Sequence, residues 1–502
     1  MTSSKATIHR LATAVPGLDE VLGGGLPEYS FNILAGPPGS GKTTLAHQMM
    51  FALATPERPA LYFTVLGEPP LKMLRYMQQF DFFDSDKVNR AIHFINLADD
   101  TITGDLDKVL GRIVAAVEQY GPGLVFVDSF RSVVLASEST GQSFLGMQQF
   151  VQQLGMLMTG WQATTFLIGE YFTEVDPNPV FTVADGLVWL RQSAQRNSVV
   201  RKMEIKKMRG QASLPGLHTF RIESAGIKVF PPALASPSSA GPVAAKGPRL
   251  TMGIKGLDAL MGGGLPRGYS LLVAGPSGGG KSIMASAFLS EGARRGETGV
   301  IAAFEQRLTL SRTPAIAKLV KSGQVSVVDT RATNLSVEEL SRELVAEIGR
   351  LGATRVVIDS LSGFEVALAP TFREEFREAM ARMVGALAST GASVLMTSEL
   401  EDRYGDLRFS PYGAAFLTDA IIVQRYVELN GRLQRVLAVV KVRASAHSNE
   451  VRLFHIDDEG IQIGGMVDGY EGLLTGSPTF GRSAAGTPGQ GPDGNPDGSP
   501  SG

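Results

Sequence analysis

Short apolar runs recur along this chain at wide intervals. Leu61–Val65, Leu124–Val127 and Thr165–Ile168 lie in its first half, and Val300–Phe304, Val356–Ile358 and Ser393–Met396 in its second. Runs this short and this uniformly apolar predict strands covered on both faces. Between them, Leu106, Val109, Leu110, Ile113, Val114 and Val117 follow helical spacing. So do Val337, Leu340, Leu344, Val345, Ile348 and Leu351, behind a Ser336…Glu339 capping box. Such alternation predicts a mostly parallel sheet flanked by helices in each half. Each half closes with two facing strand-like segments, Gly186–Leu190 with Arg201–Lys207 and Ala420–Tyr426 with Arg435–Val442, which predicts an antiparallel extension.

The two halves are copies. Gly17-Leu-Asp19, Gly23-Gly-Gly-Leu-Pro27 and Gly36–Thr43 reappear in the same order as Gly256-Leu-Asp258, Gly262-Gly-Gly-Leu-Pro266 and Gly275–Ser282. Gly17 and Gly256 are 239 positions apart, as are Lys42 and Lys281. A period this long duplicates a whole domain and is not the repeat of a solenoid. The 502 residues, enough for about three domains, therefore resolve into two domains and a tail. The expected boundaries are a first domain over 1–230, a Pro/Ala/Ser linker over 231–248, a second domain over 249–470 and a disordered Gly/Pro/Ser tail over 471–502.

Composition removes several classes of function. The chain has no cysteine, which excludes disulfide frameworks, thiol catalysis and Cys-rich zinc sites. It carries 47 Lys and Arg against 49 Asp and Glu, a formal net charge of −2, which argues against a nucleic-acid or anionic-lipid coat. The six histidines show no metal-ligand spacing. No apolar run reaches the ~20 residues of a membrane span, and the N-terminus has no signal-peptide core, so a cytoplasmic location is expected. The methionines Met49, Met50, Met147, Met156 and Met158 sit in apolar helical stretches and are expected in the core.

Candidate chemistry lies in the copied glycine blocks. Gly36–Thr43 and Gly275–Ser282 both read G-x-x-x-x-G-K-[ST], each behind an apolar strand and ahead of a helix. In that context backbone N–H groups cradle phosphate oxygens, the lysine reaches the β- and γ-phosphates, and the hydroxyl ligates Mg²⁺. The expected nucleotide-binding residues are Gly36, Gly39, Ser40, Gly41, Lys42, Thr43 and Thr44. In the second copy they are Gly275, Gly278, Gly279, Gly280, Lys281 and Ser282. An acid ending a buried strand should complete each metal position, and Asp128 and Asp359, each followed by serine, fit beside Thr43 and Ser282. Glu170 and Glu399 end a later apolar strand in each copy, where a γ-phosphate sensor or a simple loop acid would equally stand.

Two fused copies, the Gly-Leu-Asp…Gly-Gly-Gly block ahead of the phosphate loop, and Asp-Ser after the acid strand resemble the KaiC-like family of double-domain RecA-like ATPases. The resemblance spans about residues 8–465. It implies two tandem RecA-like P-loop domains, ATP and Mg²⁺ as cofactors, and a two-tiered hexamer with nucleotide between neighbours. The family carries paired glutamates after the second strand, orienting the attacking group. In the second copy Glu305 survives with Gln306 beside it. In the first copy Leu66-Gly67 replace the pair and Glu68 falls one position late, which changes where its side chain points. The first site is therefore expected to be slow or structural. Lys207 and Arg209, and 234 positions on Lys441 and Arg443, resemble the basic residues that reach a neighbour's phosphates. The family's phosphorylated hydroxyls are replaced by Ala415 and Phe416, leaving Thr418 and Ser410 nearby.

The leading expectation is a nucleotide-dependent regulatory ATPase ring with a protein partner of unknown identity. Three alternatives stand beside it: a serine/threonine kinase acting on Thr418 or on another protein, a RecA-like DNA motor, and an ATP-binding scaffold with little turnover. The net charge and the lack of a DNA-binding appendage speak against the motor.

Overall fold

The structure, a computed structural model, describes residues 8–65, 70–101, 105–139, 144–172, 179–195, 198–233, 247–304, 314–328, 330, 335–368, 376–400, 417–467, 469–475 and 479–480. The chain divides into two compact units, one built mainly on residues up to 235 and the other mainly on those beyond.

Nine strands form the sheet of the first unit. They are β1 (Phe31–Gly36), β2 (Ala60–Thr64), β3 (Ile92–Asn96), β4 (Leu124–Asp128), β5 (Thr164–Glu170), β6 (Gly186–Gln195), β7 (Ser198–Met208), β8 (His218–Glu223) and β9 (Gly226–Phe230). Their order is β9-β8-β7-β6-β1-β5-β4-β2-β3. β1 is central and parallel to both neighbours, with Leu34 beside Ile168 of β5 and Val188 of β6. From β6 outward the pairing turns antiparallel, as the facing segments predict. Apolar side chains alternate between two cores. Leu34, Tyr62, Phe126 and Phe166 face one, with Leu45 and Met49 of helix α1 (Lys42–Leu53). Ile33, Leu61, Phe63, Val125 and Leu167 face the other, with Ile113 of α2 (Leu106–Tyr120) and Leu154 of α3 (Phe144–Gly160). This is why the strands read as unbroken apolar runs.

The second unit repeats the plan. Its strands are β10 (Ser270–Gly275), β11 (Gly299–Ala303), β12 (Val325–Val328), β13 (Arg355–Asp359), β14 (Ser393–Glu399), β15 (Ala420–Leu429), β16 (Arg432–Val442), β17 (Arg452–Asp457) and β18 (Gly460–Met466). Their order, β12-β11-β13-β14-β10-β15-β16-β17-β18, is the order of the first sheet. Helix α4 (Lys281–Arg294) follows β10, and α5 (Val337–Leu351) opens where the capping box predicts, Glu339 N–H donating to Ser336 Oγ at 3.1 Å.

The Gly-Gly-Gly block has a structural cause. Gly25 has φ 108°, and a Cβ there would stand 2.6 Å from the Leu11 carbonyl oxygen, so only glycine fits. Two expectations differ from the structure. Met156 is 68 % exposed, whereas Met49, Met50, Met147 and Met158 are buried. Regular structure also continues past residue 470: Tyr470–Glu471 pairs with Thr479–Phe480, and Leu473 is buried beside Val427, Leu429 and Val436. An apolar residue three positions into the expected tail supplied the burial that a Gly/Pro-rich stretch lacks. Of the linker, residues 234–246 lie outside the described residues, as do residues 481–502 of the tail.

Candidate functional site

In the first unit the end of β1, the loop and the start of α1 form one wall of a cleft. Gly36 has φ 150°, and a Cβ there would strike the Leu190 carbonyl oxygen at 2.2 Å, so the loop can leave the sheet only through glycine. Lys42 is 6 % exposed, and its Nζ donates to the carbonyl of Pro37 at 2.8 Å, inside its own loop. Burial pulls the Lys42 pKa down, while the carboxylates of Glu170 and Asp128 pull it back up. The Thr43 hydroxyl donates to Asp128 Oδ2 at 2.9 Å. Lysine, hydroxyl and acid thus converge, in a cleft of about 460 Å³ that Gly39, Gly41, Thr44, Tyr62, Arg131 and Glu170 also line. Ser40 is wholly buried beneath the loop. Glu170 therefore stands at the cleft, as its strand-end position allows.

The second unit repeats the lysine pose. Lys281 Nζ donates to the carbonyls of Gly275 and Pro276, at 3.0 and 2.7 Å. Its acid is held differently, since Asp359 Oδ1 accepts the Thr397 hydroxyl. Ser282, at the first turn of α4, is exposed. Gly278 and Gly280 take positive φ, 72° and 96°, while Gly279 does not. Glu399 is exposed, with its N–H on Ser362 Oγ at 3.0 Å.

The two basic pairs are matched in detail. Lys207 Nζ donates to the carbonyls of Phe181 and Thr182, and Arg209 pairs with Asp185 at 3.1 Å. Lys441 Nζ donates to the Thr418 carbonyl, and Arg443 pairs with Asp419 at 3.2 Å. Burial lowers the pKa of each lysine, helped by the neighbouring arginine and opposed by the aspartate. Strand register places both pairs at the end of the sheet away from the loop of the same unit. Lys207 lies opposite Leu187, level with Ile33, and Lys441 opposite Ile421, level with Leu272. Each is about 10 Å of strand short of its own loop, and its ammonium is turned the other way.

Glu68 and Glu305, as well as Ala415, Phe416 and Ser410, lie outside the described residues. Thr418 is described and is wholly buried. One participant went unnoticed in the sequence: Tyr62, whose hydroxyl donates to Asp128 Oδ2 at 2.7 Å. It sits within an apolar strand run, and the only available signal was that a buried tyrosine hydroxyl needs a partner. Burial raises the Asp128 pKa, and the hydrogen bonds from Tyr62 and Thr43 together with Lys42 oppose that rise. Among the described residues, no group of three or more His, Asp or Glu could hold a metal by itself, and no helix is long and apolar enough to cross a membrane.

A strand–loop–helix phosphate cradle at the carboxyl end of a central parallel strand, flanked by a strand-end acid, defines a P-loop NTPase domain of the RecA-like kind, here twice in tandem. Sequence comparison agrees: the family described as "ATPase: KaiC" matches residues 11–233 and again residues 250–467. The chain belongs to this KaiC ATPase family. It is similar to the circadian clock oscillator protein KaiC of Picosynechococcus sp., 27 % identical over 486 residues that cover 94 % of this chain and 93 % of that one. The KaiC 1 protein of Synechocystis sp. is 27 % identical over 490 residues (94 % and 92 %), and the KaiC of Thermostichus vulcanus 26 % over 497 (95 % and 93 %).

Proposed function

We propose that this chain is an ATP-binding and ATP-hydrolysing ring protein, a regulatory ATPase whose nucleotide state sets ring conformation and so what a protein partner meets. The observation that carries this reading is the lysine held on its own loop in both units, Lys42 and Lys281, joined in the first by the Thr43–Asp128 contact, with Ser282 and Asp359 at the matching positions of the second copy. The lysines hold loop carbonyls that a nucleotide would not need, and on binding each ammonium would exchange them for the phosphates. Hard oxygen donors at Thr43 with Asp128, and at Ser282 with Asp359, suit Mg²⁺, which when bound would neutralise phosphate charge. The loop N–H groups, chiefly of Gly39, Ser40, Gly41 and Thr44 in the first copy and Gly278, Gly279 and Gly280 in the second, would hold the phosphates.

Glu305 would orient the attacking water in the second unit. Lys441 and Arg443 would stabilise the transferring charge at the second site of a neighbouring copy, and Lys207 and Arg209 at its first. Their placement at the far end of each sheet supports action between copies, hence a closed homo-oligomer, with six as the expected number. At the first site the Leu66-Gly67 replacement favours binding over turnover. The relatives are named as clock oscillator proteins, but a phosphorylation cycle at the usual positions is not part of this reading, because Ala415 and Phe416 carry no hydroxyl and Thr418 is buried.

The test is mass in solution with and without Mg²⁺ and ATP, alongside phosphate release. A six-fold jump in mass together with turnover that Glu305→Gln abolishes is expected. Salt-sensitive binding of single-stranded DNA with no such assembly would overturn the reading in favour of a motor.

A further inference from the structure

The interior of the second phosphate loop holds a side chain that no motif anticipates. Gln424 lies on β15 one step beyond Val423, which pairs with Ala274, so it sits beside Gly275 at the foot of the loop. It is wholly buried, and neither its Nε2 nor its Oε1 has a hydrogen-bond partner. A Cβ on Gly275 would meet Gln424 Cβ at 2.8 Å, and one on Gly279 would meet Gln424 Oε1 at 3.3 Å and the Pro276 carbonyl at 2.9 Å. The amide therefore occupies the hollow under the loop, between its first glycine and the residue that opposes it across the arch.

The first unit fills the same hollow another way. The residue beside Gly36 is Leu190, one step beyond Trp189, which pairs with Ala35. The residue matching Gly279 is Ser40, wholly buried, with its Oγ unpartnered and 3.0 Å from where a Cβ on Gly36 would stand. Serine with leucine in one unit is exchanged for glycine with glutamine in the other. Both arrangements put one small polar group under the loop, reached from the loop in the first unit and from the sheet in the second.

We propose that Gln424 is a positioning residue for nucleotide at the second site: its amide engages the backbone of the loop when the loop closes on phosphate, and is held in reserve without it. A buried amide lacking partners costs free energy in the nucleotide-free protein and regains it when a partner arrives. Gln424 thus links loop closure to phosphate binding, and it acts through the loop without touching the reacting atoms. The proposal rests on the reading that the second loop binds ATP.

The experiment uses the full chain with Lys42→Ala, which silences the first loop, and titrates a fluorescent ATP analogue with Mg²⁺. Gln424→Leu, the first unit's residue, is compared with the parent, with Gln424→Met as a second apolar replacement should the branched side chain not fit. Two opposite changes are expected. Without nucleotide, removing an unpartnered amide raises the melting temperature by about 2–4 °C. With nucleotide, affinity falls about tenfold, the loss of one good hydrogen bond. A purely structural glutamine would move stability and leave affinity alone, and unchanged affinity in a folded Gln424→Leu or Gln424→Met chain overturns the proposal. If the Lys42→Ala parent itself binds no analogue, the ATP reading of the second loop has failed, and the proposal with it.

Discussion

Tyr62 and Asp128 share a hydrogen bond of 2.7 Å, and the carboxylate oxygen that accepts it also accepts Thr43 at 2.9 Å. The second unit cannot make this bond. The residue in the register of Tyr62 is Ile301, two steps before Ala303 as Tyr62 is two steps before Thr64. Tyr62→Phe should therefore destabilise the first unit by about 1.5–3 kcal/mol, the worth of a hydrogen bond to a charged, half-buried carboxylate. Both tryptophans of the chain, Trp161 and Trp189, lie in the first unit, so urea unfolding followed by tryptophan fluorescence reads that unit alone. An unchanged midpoint would mean the bond is idle.

His47 stands next to Tyr62, with ring centroids 4.8 Å apart, and complete burial pushes its pKa down to about 3. Because the folded value lies below the ordinary 6.5, the unfolded chain binds the extra proton between these limits. Stability is therefore complete above pH 6.5 and is lost as pH falls toward 3, by up to about 1.4 kcal/mol per pH unit. His47→Leu should flatten the acid limb of the tryptophan-detected stability curve by one proton. A slope that does not change would assign acid sensitivity to other groups.

Thr418, one of the two hydroxyls left near the replaced phosphorylation positions, is wholly buried with its carbonyl capped by Lys441. Incubation with ATP and Mg²⁺ followed by peptide mass mapping should find no phosphate on it. Phosphorylated Thr418 in intact assemblies would require the start of β15 to open and would restore the self-kinase reading.

Mixing tests the direction of the basic pairs. Lys281→Ala chains lack the loop lysine, and chains with Lys441→Ala and Arg443→Ala lack the pair, so each alone should lose second-site turnover by about 10³-fold or more. In an equal mixture about a quarter of the junctions join an intact loop to an intact pair. Hydrolysis should recover to about that fraction of the parent. A mixture no more active than its components would place the pair's action within one chain.

Most of the architecture was legible because both sheets are covered on both faces, which turns strands such as Leu124–Val127 into unbroken apolar runs. The duplicated loops were legible because glycine and lysine spacing is set by phosphate geometry, which packing does not alter. Tyr62 and Gln424 were not. Their polar atoms are hidden in segments whose pattern is apolar, and only the neighbouring strand reveals what they face. Leu473 escaped for the opposite reason, an apolar residue whose burial depends on Val427, Leu429 and Val436 far back in the chain. Met156 showed the limit of helical spacing: its helix is apolar enough that one methionine faces solvent without upsetting the pattern.

In each sheet the phosphate loop stands at one end of the central strand and the basic pair at the other. A two-fold dimer would satisfy both only by setting each loop against the other copy's pair across a single seam. On the proposed action between copies in a ring, contact is instead head-to-tail, every copy giving its pair to one neighbour and taking another's at its loop. Such contacts leave one unfilled loop and one idle pair at the ends of any open chain, and only closure into a cycle removes both. Turnover per chain would then rise steeply with concentration near the threshold of closure, and a ring missing one member would lose more than its share.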